Sequence, residues 1–104
     1  MLKIENFRKQ NVLERIAITK HAKERLKERN IKVDDIINAI DTGRIIKDYE
    51  DDKPLPSCLV LGKSLENRFL HIVVRMDNDY IYLITAYYPS NDQWEADFIT
   101  RKER

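Results

Sequence analysis

Residues 68–88 read RFLHIVVRM, then DND, then YIYLITAYY, and this stretch sets the fold class. Both runs are rich in the β-branched and aromatic side chains of strands, and Asp77, Asn78 and Asp79 supply turn chemistry between them. In the first run Leu70, Ile72, Val74 and Met76 alternate as one apolar face, while Phe69, His71, Val73 and Arg75 share the other. A three-residue loop at 77–79 places Met76 opposite Tyr80, His71 opposite Thr85 and Phe69 opposite Tyr87. A two- or four-residue loop moves the register by one and removes that arrangement. Upstream, RIIKDY (44–49) and SCLVLGK (57–63) have the same composition and read as two more strands, joined by EDDKPLP and SLEN. After Pro89, SNDQWEADF reads either as a short helical turn with Trp94 and Phe98 at i,i+4 or as an extended segment burying Trp94, Ala96 and Phe98.

The first half has a different period. Residues 3–10 suit a short helix presenting Ile4 and Phe7, and Ile16 to Ile18 form a brief extended stretch. Thr19 is a good N-cap for a helix over about 20–29, which Asn30 ends. A third helix is expected over about 33–42, with Asp34 and Asp35 in its first turn and Ile36, Ile37 and Ile40 as its apolar stripe. Gly43 is expected as its left-handed stop. Helices followed by a meander predict one α+β domain over 1–104, with N-terminal helices on one face of an antiparallel four-stranded sheet.

Composition removes several function classes. No apolar run approaches the roughly 20 residues of a membrane helix, and MLKIENFRKQ lacks the apolar core of a signal peptide. The single cysteine, Cys58, allows no internal disulfide, which fits a cytoplasmic protein. Net charge is only +1, but it is unevenly spread: residues 1–32 hold ten Lys and Arg against four acids, and residues 33–67 hold four against eight. A basic helical half suits phosphate, although lysine-rich helices are also simply well solvated.

At about 100° per residue, His21, Arg25 and Arg29 form one stripe of the second helix, beside Ala22 and Leu26 and away from Lys20, Lys23 and Lys27. With Ala22 and Leu26 on the sheet, the stripe lies along the seam, where an imidazole and two guanidinium groups suit an anion. Structural ion pairing of the same arginines is an equally good account of the stripe. From the sheet, His71, Thr85 and Tyr87 are the candidates to complete a site. The five tyrosines and Trp94 can stack bases, though strand packing explains most of them. Nothing near Cys58 resembles an activated nucleophile. No ligand spacing for a metal, no P-loop and no dinucleotide fingerprint occurs, so no cofactor is expected.

The run His21-Ala22-x2-Arg25-Leu26-x2-Arg29-Asn30-Ile31, then Asp35-Ile36 to Gly43, resembles the opening of the bacterial domain of unknown function 4258. So do Ile45-Ile46-x-Asp48-Tyr49 to Asp52-x-Pro54-x-Pro56-Ser57-Cys58-Leu59-x-Leu61-Gly62, Leu70 to Val74, Ile84-Thr85-Ala86-Tyr87-x-Pro89, and Trp94 to Phe98. Lys32 departs from the resemblance where a Ser-like cap is usual. The resemblance implies a fold similar to small RelE-like ribonuclease toxins. By that analogy the chain is expected to be a metal-independent endoribonuclease toxin silenced by an antitoxin. His21 is then acid or base, Arg25 and Arg29 hold phosphate, and His71, Thr85 or Tyr87 complete the site. The alternative expectation is a non-catalytic RNA- or protein-binding domain.

Overall fold

The computed structural model describes residues 2–102. Three α-helices and five strands follow in the order α1 (Ile4–Lys9), β1 (Ile16–Ile18), α2 (Lys20–Glu28), α3 (Val33–Thr42), β2 (Arg44–Tyr49), β3 (Ser57–Lys63), β4 (Phe69–Asp77) and β5 (Tyr80–Tyr87). A 3₁₀ turn at Leu13–Arg15 precedes β1. The sheet order is β1-β5-β4-β3-β2, so it has five strands rather than four. The additional strand is the Ile16–Ile18 stretch, which pairs parallel to Ile81–Leu83 while the other pairings are antiparallel. Three residues are too short to show alternation, which is why the sequence marks this segment as extended but not as a sheet member.

Helix boundaries follow local chemistry. Thr19 Oγ1 accepts from the Ala22 amide at 3.1 Å, capping α2, and Asn30 ends it in the left-handed conformation at φ 56°. Lys32 offers α3 no cap oxygen, but the Asp35 carboxylate compensates: Oδ2 accepts from the Lys32 amide at 2.9 Å, and Oδ1 from the Leu65 amide at 2.9 Å. Gly43 is not a left-handed stop; it is extended, at φ −96° and ψ 178°. Its small size serves packing instead, since an added Cβ would lie 2.7 Å from Val60 Cγ1 and 2.8 Å from the Leu61 carbonyl oxygen.

The hairpin register also differs from the three-residue-loop expectation. Asp77 pairs with Tyr80, leaving the two-residue turn Asn78-Asp79, with Asn78 left-handed at φ 55°. A bulge then leaves Ile84 unpaired, so His71 faces Tyr87 and Val73 faces Thr85. Each change moves the register by one, and two such moves restore the original facing. His71, Thr85 and Tyr87 therefore share a face, although His71 and Thr85 are not directly opposite.

One side of the sheet, the Ile72 face, presents Cys58, Val60, Leu70, Ile72, Val74, Ile81, Leu83 and Ala86. These join Phe7, Leu26, Ile31, Ile36, Ala39 and Ile40 from the helical half in one apolar core. Burying a side chain of this size contributes about 1.5–3 kcal/mol, so this core is the main source of stability. The opposite side, the His71 face, is covered in part by residues 90–101. That segment opens with a single turn, closed by the Trp94 amide on the Ser90 carbonyl at 3.0 Å, but no helix carries Trp94 and Phe98 together and the segment is not extended throughout. It is a chain of turns closed by an antiparallel bridge between Trp94 and Arg101, and it leaves Ala96 exposed. Among the described residues, no helix is long and apolar enough to cross a membrane.

Candidate functional site

His71 is the centre of the His71 face and is fully buried. Its Nε2 lies 2.8 Å from the Phe98 carbonyl oxygen, and its Nδ1 lies 3.2 Å from the Tyr87 hydroxyl. A carbonyl only accepts, so Nε2 carries the proton. The neutral ring then accepts at Nδ1, and the Tyr87 hydroxyl donates to it. Trp94 packs edge-on against the ring, with centroids 4.5 Å apart and an interplanar angle of 88°. Burial pushes the His71 pKa below its ordinary 6.5, against the smaller opposing effect of the Phe98 carbonyl.

Residues 90–101 hold that carbonyl in place. The Asp97 carboxylate accepts from the Ile99 amide at 2.9 Å and from the Thr100 amide at 3.0 Å, forming a tight turn. Within it Phe98 is left-handed, φ 55°, a conformation that costs a bulky side chain on the order of 1–3 kcal/mol. Its ring lies 5.4 Å from that of Phe69.

Beside this pair is a cavity of about 150 Å³, lined by Lys47, Tyr49, Leu59, Tyr87, Trp94 and Arg101 among others. Both phenols at its wall have raised pKa values, in each case chiefly through burial; Arg101 opposes the rise at both, and Arg29 also opposes it at Tyr87. The resting pair is therefore a neutral phenol donating to a neutral imidazole, with cations close by. Cations and aromatic rings alternate across the same face: Lys47 with Tyr49, Lys63 with Phe69, Arg75 with Tyr82 and Arg101 with Trp94, at 5.2–5.5 Å from the ring centroids.

The stripe on α2 divides. Ala22 and Leu26 are buried while Lys20, Lys23 and Lys27 are exposed, as the helical period requires. Arg25 is held by Glu28 of the same helix at 2.8 Å, and His21 is exposed. Arg29 alone reaches the sheet, donating to the Ala86 carbonyl at 2.7 Å and to Thr85 Oγ1 at 3.3 Å. Because β1 covers only Ile81–Leu83 of β5, this part of the β5 edge is open to it. Arg29 with Thr85 and Tyr87 with His71 thus form two hydrogen-bonded pairs, Thr85 and Tyr87 two residues apart on one face of β5, and His21 and Arg25 stand outside both.

Lys47, Arg101 and the Phe98 carbonyl were not legible as site members, because a bulge and a left-handed phenylalanine place them. Cys58 is buried, and its thiol is pushed up to about 12 by burial and by Asp48, so it is not a nucleophile. Among the described residues, no group of three or more His, Cys, Asp or Glu side chains is arranged to hold a metal ion. A shallower hollow of about 380 Å³ between α2 and α3 has Lys23, Lys27 and Lys32 around Leu26 and Ile31, but no acid–base pair.

No curated protein and no solved structure matches the chain. Residues 18–88 match the model of a family described as a domain of unknown function (DUF4258), and since that span is most of the 104 residues, the chain belongs to this family.

Proposed function

We propose that this protein binds single-stranded RNA on the His71 face and cleaves it at a site centred on Tyr87. The observation that carries the reading is Tyr87, in the wall of a small cavity shared with Lys47 and Arg101 and backed by the buried His71 to which its hydroxyl is hydrogen-bonded. At about 150 Å³ the cavity is smaller than the roughly 300 Å³ of a drug-sized pocket. It suits one group of a larger ligand, and two cations with two phenols suit a phosphodiester. Cations interleaved with aromatic rings are the surface on which single strands stack and neutralise their charge.

Cleavage follows from the relay. The ribose 2′-hydroxyl gives its proton to the Tyr87 oxygen as Tyr87 passes its own proton to His71 Nδ1. The 2′-oxygen bonds to phosphorus as the bond to the 5′-oxygen breaks, the 5′-oxygen takes a proton from water, and the hydroxide so formed receives the His71 proton back through Tyr87, so the products are a 2′,3′-cyclic phosphate and a 5′-hydroxyl and the pair returns to its resting state. Lys47 and Arg101 face the charge that develops on the phosphoryl oxygens. The imidazolium formed on His71 donates Nε2–H to the Phe98 carbonyl. By analogy with the RelE-like toxins whose fold the family resemblance implies, the proposal extends to a cytoplasmic toxin restrained by a partner antitoxin, with Tyr87 in place of His21 at the centre.

Tyr87→Phe keeps the ring and removes the relay, so cleavage of a short RNA falls by about 10²–10⁴ while binding persists. Equal cleavage by Tyr87→Phe and wild type sinks the relay. A second reading, RNA binding without cleavage, is favoured by one feature: both His71 nitrogens are already occupied in the resting structure. Binding by the wild type with no cleavage, with and without chelator, selects it.

A further inference from the structure

We infer that the His71 face holds a second phosphate subsite, formed by Arg44 and Lys63, for the neighbouring phosphate of the same single strand. The inference rests on the RNA reading above and extends it from one phosphate to a path.

A second hollow of about 310 Å³ lies beside the Tyr87 cavity, and Ile99 lines both. Arg44, Lys63, Phe69 and Leu61 are among its walls. Arg44 and Lys47 are three residues apart and in a regular strand would point to opposite sides. The β2 bulge leaves Ile46 unpaired, so Arg44 opposes Leu61 and Lys47 opposes Leu59, both on the His71 face. Leu59 and Leu61 are two steps apart on β3, so the backbone positions of Lys47 and Arg44 are about 7 Å apart, and their long side chains can reach successive phosphates of one strand. Lys63 pairs across the ladder with Phe69, a ring that remains 42% exposed beside the hollow.

The acids set the direction. Asp48, Glu50, Asp51 and Asp52 line another hollow beyond Tyr49, and their field repels phosphate. A strand seated between Lys47 and Arg101 therefore continues toward Arg44 and Lys63. Asp97 also borders the subsite, but its carboxylate is turned into its own loop, where it accepts from two amides and the Thr100 hydroxyl.

The test uses 2′-O-methyl oligouridylates, which bind but cannot be cleaved by 2′-hydroxyl attack, as dimers, trimers and hexamers over a salt series. Wild type gains about tenfold in affinity on passing from dimer to trimer, the yield of one charge-assisted contact. In Arg44→Gln and Lys63→Gln that gain disappears, and each variant lowers the slope of log K against log salt by about 0.7. Lys27→Gln on α2 serves as the control and leaves both unchanged. If both subsite variants keep the wild-type gain and slope while Lys47→Gln and Arg101→Gln bind more weakly, the second subsite is wrong and the RNA reading stands. Failure of the wild type to bind any length overturns both. Binding of polyglutamate in preference to the oligouridylates, through the same residues, overturns RNA as the occupant.

Discussion

A fully buried imidazole has to place both ring nitrogens, and His71 does so with partners of opposite character, a carbonyl and a phenol. The arrangement favours the neutral ring, which gives it a pH signature. The folded-state pKa of His71 lies below the ordinary 6.5, so between the two values the unfolded chain binds more protons than the folded one. Stability from this group is complete above about pH 6.5 and is lost as the pH falls toward the folded value. Urea unfolding of wild type and His71→Gln at pH 7.5 and pH 5 measures it. The wild-type advantage shrinks at pH 5; an advantage that grows on acidification contradicts a buried neutral ring. The Asp97 pKa is lowered as well, but by amide donors and from an ordinary 3.8, so its effect begins only at lower pH and leaves this window clear. The residue scale is also where the sequence is least informative. That His71 and Tyr87 lie on one face was legible from strand alternation, but Phe98 was legible only as an aromatic residue, not as a backbone acceptor.

Elements were more legible than contacts. The spans of α2, α3 and the last four strands follow from periods and caps that are local to each segment, such as Thr19, Asn30 and the Ile36–Ile40 stripe. What failed depended on two segments at once. The hairpin register needed both the turn and the bulge at Ile84, and β1 needed its parallel partner on β5. The β2 bulge, which turns Arg44 and Lys47 to one side, has no sequence signal at Ile46. Glycine use shows the same limit: the two glycines let α3 lie against β3, a contact between distant segments. At Gly62 an added Cβ would sit 2.7 Å from both Cα and the carbonyl carbon of Ala39, all backbone that no rotamer change can move. Overpacking usually costs about 1–3 kcal/mol, and a clash with helix backbone belongs at the upper end. Gly62→Ala should therefore lower the urea midpoint by an amount equivalent to about 3 kcal/mol; a loss under about 0.5 kcal/mol means the helix slides freely over the strand.

At the scale of the whole molecule, the two sheet faces are built from different parts of the chain. The Ile72 face draws its core from residues 7–86, whereas the His71 face is finished by residues 90–101, which lie beyond the 18–88 span shared with the family. This division predicts separable losses. A chain ending at Pro89 keeps the apolar core but loses Trp94, the Phe98 carbonyl and Arg101 together. Removing one buried Trp side chain typically costs about 3–5 kcal/mol, against about 5–15 kcal/mol of total stability for a domain. The shortened chain is therefore expected to keep its helical and strand circular dichroism at 10 °C while melting well below the full-length protein. His71, relieved of the burial that depresses it, should titrate closer to 6.5 in proton NMR. RNA affinity should fall as well, since Arg101 and the Trp94 wall leave with the segment. A shortened chain that has no secondary structure at 10 °C shows that the cap belongs to the folding core. One that retains full RNA binding shows that the cavity between Lys47 and Arg101 is not where the strand sits.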